Sequence, residues 1–290
     1  MFPEFVDTRP LRRAVDDALN WVVANWGGAF EAAARPLLGL LNAIQFALLA
    51  TPWWVIIALV TLAAWLATRQ WKLPAIVFAA LIFLGVMDLW EDAMITTALM
   101  IAATLTAIVV SIPVGVWMSR SLRVRQVITP ILDLMQTLPS FVYLIPTVMI
   151  FGPGKIPALL ATIVYAAPPL VRLTDLGLRS VDPAVIEASR AFGANPGQRL
   201  LGVQIPLALP TILAGINQTT MMALAMVVIA SMIGAGGLGY QVLQGIGRLE
   251  VSRGLFAGLG IVVLAIIFDR VTQSFGKQLQ ARIGLQEVRI

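Results

Sequence analysis

The sequence contains no cysteine and no histidine, and only 12% of its residues are charged. Each shortage excludes a class of chemistry. Without Cys there is no disulfide framework, thiol nucleophile or thiolate metal site; without His there is no imidazole base and no His-based metal site. Proton or metal chemistry would rest on carboxylates, and these form no cluster of the kind a membrane enzyme needs. A soluble chain carries about a quarter charged residues, whereas 59% of these 290 residues are hydrophobic. That composition describes an all-α polytopic membrane protein folded as one membrane domain. The net charge of +5 does not point to nucleic acid, because the basic residues flank apolar runs. In membrane proteins that is the mark of cytoplasmic loops.

What is present is a series of apolar runs. Residues 1–35 mix Arg9, Arg12, Arg13, Asp16, Asp17, Glu31 and Arg35 with Trp21 and Trp26. Tryptophan beside charge predicts a helix lying at the membrane surface, and no continuous apolar core of a signal peptide occurs there. Pro36 to Thr68 carries no charge over 33 residues. Pro52 and the Trp53–Trp54 pair divide this run at a membrane interface. Trp53–Thr68 then reads as the first firm span, and residues 36–50 as either an interfacial helix or an additional span.

Further spans follow at Leu73–Val86, Ile95–Ser119, Val127–Phe151, Ile156–Val171, Leu207–Ile233 and Leu255–Phe268. The fourth of these seven is broken by Pro130, Pro139 and Pro146 and carries Asp133 and Gln136. The expectation is about seven transmembrane helices, or eight if 36–50 crosses. The chain divides into an N-terminal segment (1–52), a transmembrane domain (53–275) and a tail (276–290).

Basic residues set the orientation. Arg69 and Lys72, then Arg120, Arg123 and Arg125, then residues 172–204 and the tail are all on one side and rich in Lys and Arg. The other side holds the acidic turn at Asp88, Glu91 and Asp92 and the turns at 152–154 and 234–253. The first set faces the cytoplasm and places the C-terminus there.

One polar interruption stands apart. Between Arg172 and Gln204 lie Arg172, Asp175, Arg179, Asp182, Glu187, Arg190 and Arg199. Each such charge would cost about 2.5–3.5 kcal/mol or more at the centre of a bilayer, so this stretch lies in water or against a soluble partner. Asp182–Pro183 is a helix-start signal, and Gly193 with Asn195–Pro196–Gly197 is a stop. Glu187, Ala188 and Ser189 are followed by Gly193 and then by Val203, Gln204, Ile205 and Pro206. The spacing resembles the EAA loop of ABC-importer permeases: Glu-Ala-Ala, three residues, Gly, nine residues, Ile-x-Leu-Pro. Ser189, Val203 and Ile205 depart from it by small-for-small and aliphatic-for-aliphatic changes.

The likeness extends through Leu134–Pro146, Ala166–Thr174, Gly215–Thr219, Met226–Gly239 and Gly245–Leu249. Over roughly residues 50 to 275 the chain resembles the permease subunit of glycine betaine/proline importers, the osmoprotectant branch of the ABC superfamily. The resemblance implies a type I-like permease fold in the bacterial inner membrane, with a second permease copy, cytoplasmic ATP-binding subunits and an extracytoplasmic substrate-binding protein. ATP and Mg would then be bound by the ATPase partner, with no cofactor in this chain. Gly152–Lys155 lacks the spacing and the Ser/Thr of a Walker A loop, so this chain is not itself an enzyme. Glu187, Ala188, Ser189 and Gly193 would form the ATPase-coupling site.

For a pathway, polar uncharged groups and soft aromatic or Met faces would pass a methylated amine without trapping it. Gln136, Thr137, Ser140, Phe141 and Tyr143 offer these on one span, and Asn217, Thr220, Met221 and Ser231 on another. The same residues also suit helix-to-helix contact. Asp133 is expected to pair with Arg172 or a basic loop residue, and the glycines at 234–239 to permit tight packing near an external gate. Choline, carnitine, proline betaine or trimethylamine N-oxide are alternative substrates. An ion-coupled secondary transporter is an alternative of another class, for which Asp133 is the single intramembrane carboxylate on offer.

Overall fold

A computed structural model describes residues 9–282. Twelve helices account for nearly all of it: α1 (Arg9–Ala50), α2 (Trp53–Thr68), α3 (Lys72–Val86), α4 (Trp90–Arg120), α5 (Leu122–Thr137), α6 (Leu144–Phe151), α7 (Lys155–Arg179), α8 (Pro183–Ala191), α9 (Pro196–Arg199), α10 (Ile205–Ala230), α11 (Leu238–Gly247) and α12 (Val251–Arg282). Among the described residues, five helical stretches are long and apolar enough to cross a membrane, and α5 with α6 makes a sixth if counted as one bent span. The hairpin helices α2 and α3 are shorter, at 16 and 15 residues.

The core is built on α7, which lies between α4 and α10. Leu41, Met100, Leu159, Met226 and Val227 are fully buried there among many alanines. Small residues let the backbones close in, which is how helices associate where no hydrophobic effect separates lipid from side chain. At Gly115 of α4 a Cβ would stand 2.6 Å from the Thr174 Cβ and 2.8 Å from the Val171 carbonyl. No larger residue fits that crossing. A second apolar cluster seats the α2–α3 hairpin on α12 through Ile57, Leu81, Leu84, Leu264 and Ile267.

Three differences from the sequence reading have physical reasons. Helix α1 is continuous from Arg9, with Pro36 inside it. At 1.5 Å per residue it is about 63 Å long, twice a bilayer core of about 30 Å. Its first part is exposed at Trp21 and Trp26, while Ala34 and Leu41 are buried and the later turns rest on α4, α6 and α7. Residues 36–50 therefore form part of the bundle.

Next, α7 runs eight residues past Val171, so Arg172 and Asp175 are helical rather than in a loop. No breaker precedes Ser180, and both charges find partners on α5. Finally, α12 continues to Arg282, beyond the span that ends at Phe268. The tail residues 283–290 lie outside the described residues.

Of the three prolines between 127 and 151, one breaks the chain. Proline pushes the preceding residue out of the helical region, and Leu138 is extended at φ −68° and ψ 134°. The axes of Leu122–Thr137 and Ser140–Phe151 consequently meet at 113°. Pro130 stays within α5 and Pro146 lies in the first turn of α6.

Contacts sort the connections into two ends. Arg120 Nη2 donates to the Pro196 carbonyl, tying the basic loop to the loop after α8. Gly154 lies against Gly234 at the opposite end. The Leu238 N–H donates to Thr96 Oγ1 at the same end.

Candidate functional site: the polar loop and the surface beside it

Helix α8 begins as its sequence dictates. The Asp182 carboxylate accepts the Ala184 N–H at 2.8 Å, and Pro183 occupies a position whose N–H would have no partner. The helix stops after Ala191, where Gly193 takes φ 79°, a left-handed conformation that costs other residues about 1–2 kcal/mol. Asn195 and Gln198 then exchange side chain-to-backbone hydrogen bonds at 2.8 and 2.9 Å, a capping box that starts α9.

No residue of α8 is buried. Glu187 and Ala188 face solvent, and Ser189 is half-buried with its hydroxyl donated to the Ile186 carbonyl. Phe192 is 93% exposed, beside Val185 at 41%. A rigidly capped helix that shows an aromatic ring to water has the character of a contact surface.

The residues proposed for a pathway fall into two groups. Gln136, Thr137 and Phe141 are exposed and Ser140 is half-buried, so the turn around the Leu138–Pro139 break presents no buried side chain. Tyr143 is anchored. Its hydroxyl donates to the Met135 carbonyl across the break, and its ring meets Tyr165 of α7 edge-on at 5.9 Å. On α10, Thr220 is buried and bonds its own helix at the Ile216 carbonyl, and Met221 is half-buried. Asn217 is half-buried, and its Oδ1 is shielded without a hydrogen-bond partner. Ser231 is buried and donates to the Val228 carbonyl.

Asp133 pairs with Arg172 at 2.5 Å, one of the two kinds of partner expected for it. The neighbouring pair, Arg125 Nε to Asp175 Oδ2 at 3.2 Å, differs from the sequence expectation, which places both residues in loops. Also unforeseen are the hydroxyls that hold the Pro168–Pro169 region of α7. Ser111 of α4 donates to the Ala167 carbonyl at 3.3 Å and Thr219 of α10 to the Ala166 carbonyl at 2.9 Å. A double proline in a spanning helix was the signal available for them.

At the other end, Gly234, Gly236 and Gly237 take positive φ, and a Cβ on Gly239 would lie 2.3 Å from the Val228 carbonyl. Tight packing there matches the expectation. Gln241 donates to Asp92 at 2.6 Å and accepts from Arg253 at 2.8 Å, joining α11 to α4 and α12.

Residues 107–283 match the family model described as "Binding-protein-dependent transport system inner membrane component". The chain belongs to this family. It is a multi-pass inner-membrane permease of the ABC importer type. The matched segment takes in the second half of α4, all of α7 and α10, the bent pair and the whole polar loop.

Among its relatives, the permease is 47% identical over 94% of its length to "Glycine betaine/proline betaine transport system permease protein ProW" of Escherichia coli, covering 77% of that protein. It is 41% identical to "Glycine betaine/carnitine transport permease protein GbuB" of Listeria monocytogenes, over 94% of this chain and 98% of that one. Its fold resembles the permease chain of the MetNI methionine ABC transporter in an inward-facing conformation. That match has a TM-score of 0.60 and 23% identity, and covers 66% of this chain and 95% of that chain.

Proposed function

We propose that this permease forms the membrane pathway of an ATP-driven importer for glycine betaine or a related compatible solute. ATP and Mg are bound by cytoplasmic partner subunits, and α8 docks into them. The observation that carries this reading is α8 itself. It is capped at both ends, has no buried residue, and presents Glu187, Ala188 and the Phe192 ring outward, with Ser189 half-buried beside them. Small residues allow close approach, and Glu187 is placed to accept a hydrogen bond from a partner Arg or N–H. Gly193, at φ 79°, supplies the sharp exit from α8.

Substrate follows from the relatives. ProW and GbuB share glycine betaine in their names and differ in the second solute. Trimethylamine N-oxide and choline occur in the names of relatives at lower identity. An external binding protein delivers the solute, and a second copy of the permease closes the pathway. The exposed 136–141 turn, in a chain otherwise so apolar, supports that second copy. The Lys155–Gln45 contact puts the last turns of α1 at the 152–155 end of the bundle, which supports eight crossings with both termini in the cytoplasm.

ATP-dependent uptake of labelled glycine betaine in proteoliposomes tests the reading. The complete complex is compared with complexes carrying Glu187→Arg or Gly193→Leu. Uptake lost in both, with the permease still folded and the binding protein still loaded, is the expected result. Unchanged uptake makes the loop a connector only, and uptake of choline in place of betaine replaces the substrate alone.

A further inference from the structure

We propose that the two ion pairs between α5 and α7 carry the movement of α8 to the 136–143 turn. Arg125, Asp133, Arg172 and Asp175 are thereby positioning residues for transport. The inference rests on α8 being the docking helix.

Helix α7 passes into α8 through only Ser180, Val181 and the cap Asp182, so a displacement of α8 acts directly on the last turns of α7. Those turns carry Arg172 and Asp175, and their adjoining face packs on α4 where Gly115 meets Val171 and Thr174. Helix α5, by contrast, is lightly held, since Leu132 is its one buried residue. What fastens it to α7 is a small apolar seat and the pairs Arg125–Asp175 and Asp133–Arg172. At its far end α5 meets the Leu138–Pro139 break, where the Tyr143 hydroxyl straps the next turn back to Met135. With ion pairs at Arg125 and Asp133 and the strap at Met135, α5 is tied along its length to α7 and across the bend to the next turn, so it can move with α7 as a unit.

The order of charges makes the attachment specific. Each helix supplies one cation and one anion, so exchanging partners would set Arg125 against Arg172 and Asp133 against Asp175. Like charges brought together oppose the wrong register. The ladder is also incompletely satisfied. Arg172 Nε and Asp175 Oδ1 are shielded and have no hydrogen-bond partner. Buried polar atoms are nearly always paired in structures built for stability alone. Atoms left over in one arrangement are available to a second one.

The test measures betaine taken up per ATP hydrolysed by the reconstituted complex. Asp133→Arg and Arg172→Asp are made singly and together, with Arg172→Lys and Arg172→Met as milder changes and Gly193→Leu alongside. Each single reversal, and Arg172→Met, is expected to lower the ratio about threefold, the scale of an exposed ion pair. The double reversal and Arg172→Lys are expected to restore most of it, as a direct pair interaction requires. A ratio unchanged in the single variants overturns the proposal, and so does a double reversal that stays as impaired as the singles. Parallel loss of uptake and hydrolysis with a constant ratio also overturns it, since that is what a purely structural pair produces. If Gly193→Leu transports normally, the docking-helix reading fails first. If Gly193→Leu is impaired while the reversals keep their ratio, only the ladder fails.

Discussion

The Lys155 ammonium donates a hydrogen bond to Gln45 Oε1 at 2.7 Å, binding the end of α1 to the turn that begins α7. That contact puts the last turns of α1 at the same end of the bundle as the 152–155 turn. The turn at 152–155 lies beside Gly234, at the end opposite the basic loops. Helix α1 therefore crosses toward that end.

The absence of cysteine makes the consequence easy to measure. A single cysteine at Asp17 should react with a membrane-impermeant maleimide only after the membrane is opened, whereas one at Gly152 should react in intact cells from outside. Labelling of Asp17→Cys from outside means seven crossings rather than eight.

Gly115 gives a stability prediction. A methyl group there would collide with Thr174 and with the Val171 carbonyl. Gly115→Ala is expected to destabilise the purified permease by about 1–3 kcal/mol, as overpacking does. Gly247→Ala, where an added Cβ meets nothing within 4 Å, is expected to leave the melting temperature nearly unchanged. Equal melting of the two variants contradicts the close α4–α7 crossing.

Asn217 separates pathway from glue. An amide that cements helices destabilises when replaced, but an unpartnered buried oxygen is costly as it stands. Asn217→Leu is expected to raise thermal stability or leave it level while slowing betaine uptake several-fold. Loss of stability with uptake intact would assign Asn217 to helix contact.

The sequence shows best where local chemistry decides. The start of α8 at Asp182–Pro183 and its end before Gly193 are readable because cap, proline and left-handed glycine act within a few residues. The break at Pro139 was half legible. Three prolines mark the region, but a helix accommodates Pro130 and Pro146 while Leu138 turns extended, and the pattern does not distinguish them. Arg172 and Asp175 look like loop residues because an unpaired charge leaves the membrane. The pairing of Asp133 with Arg172 is among the expected ones, but Arg125 lies 50 positions from Asp175, a distance over which no local signal acts. Apolarity likewise cannot tell whether 36–50 lies on the bilayer or crosses it. The place of 36–50 in the bundle comes from Leu41 in the core and from Lys155.

Pairing within the α5–α7 ladder has an electrical corollary. Two arginines and two aspartates travel together, so a shift of these four side chains along the membrane normal displaces no net charge. A single elementary charge moved across the whole membrane would couple to about 2.3 kcal/mol for every 100 mV. With the ladder neutral, this part of the stroke is indifferent to the membrane potential. A cell whose membrane is depolarised would move it as readily as one that is fully energised.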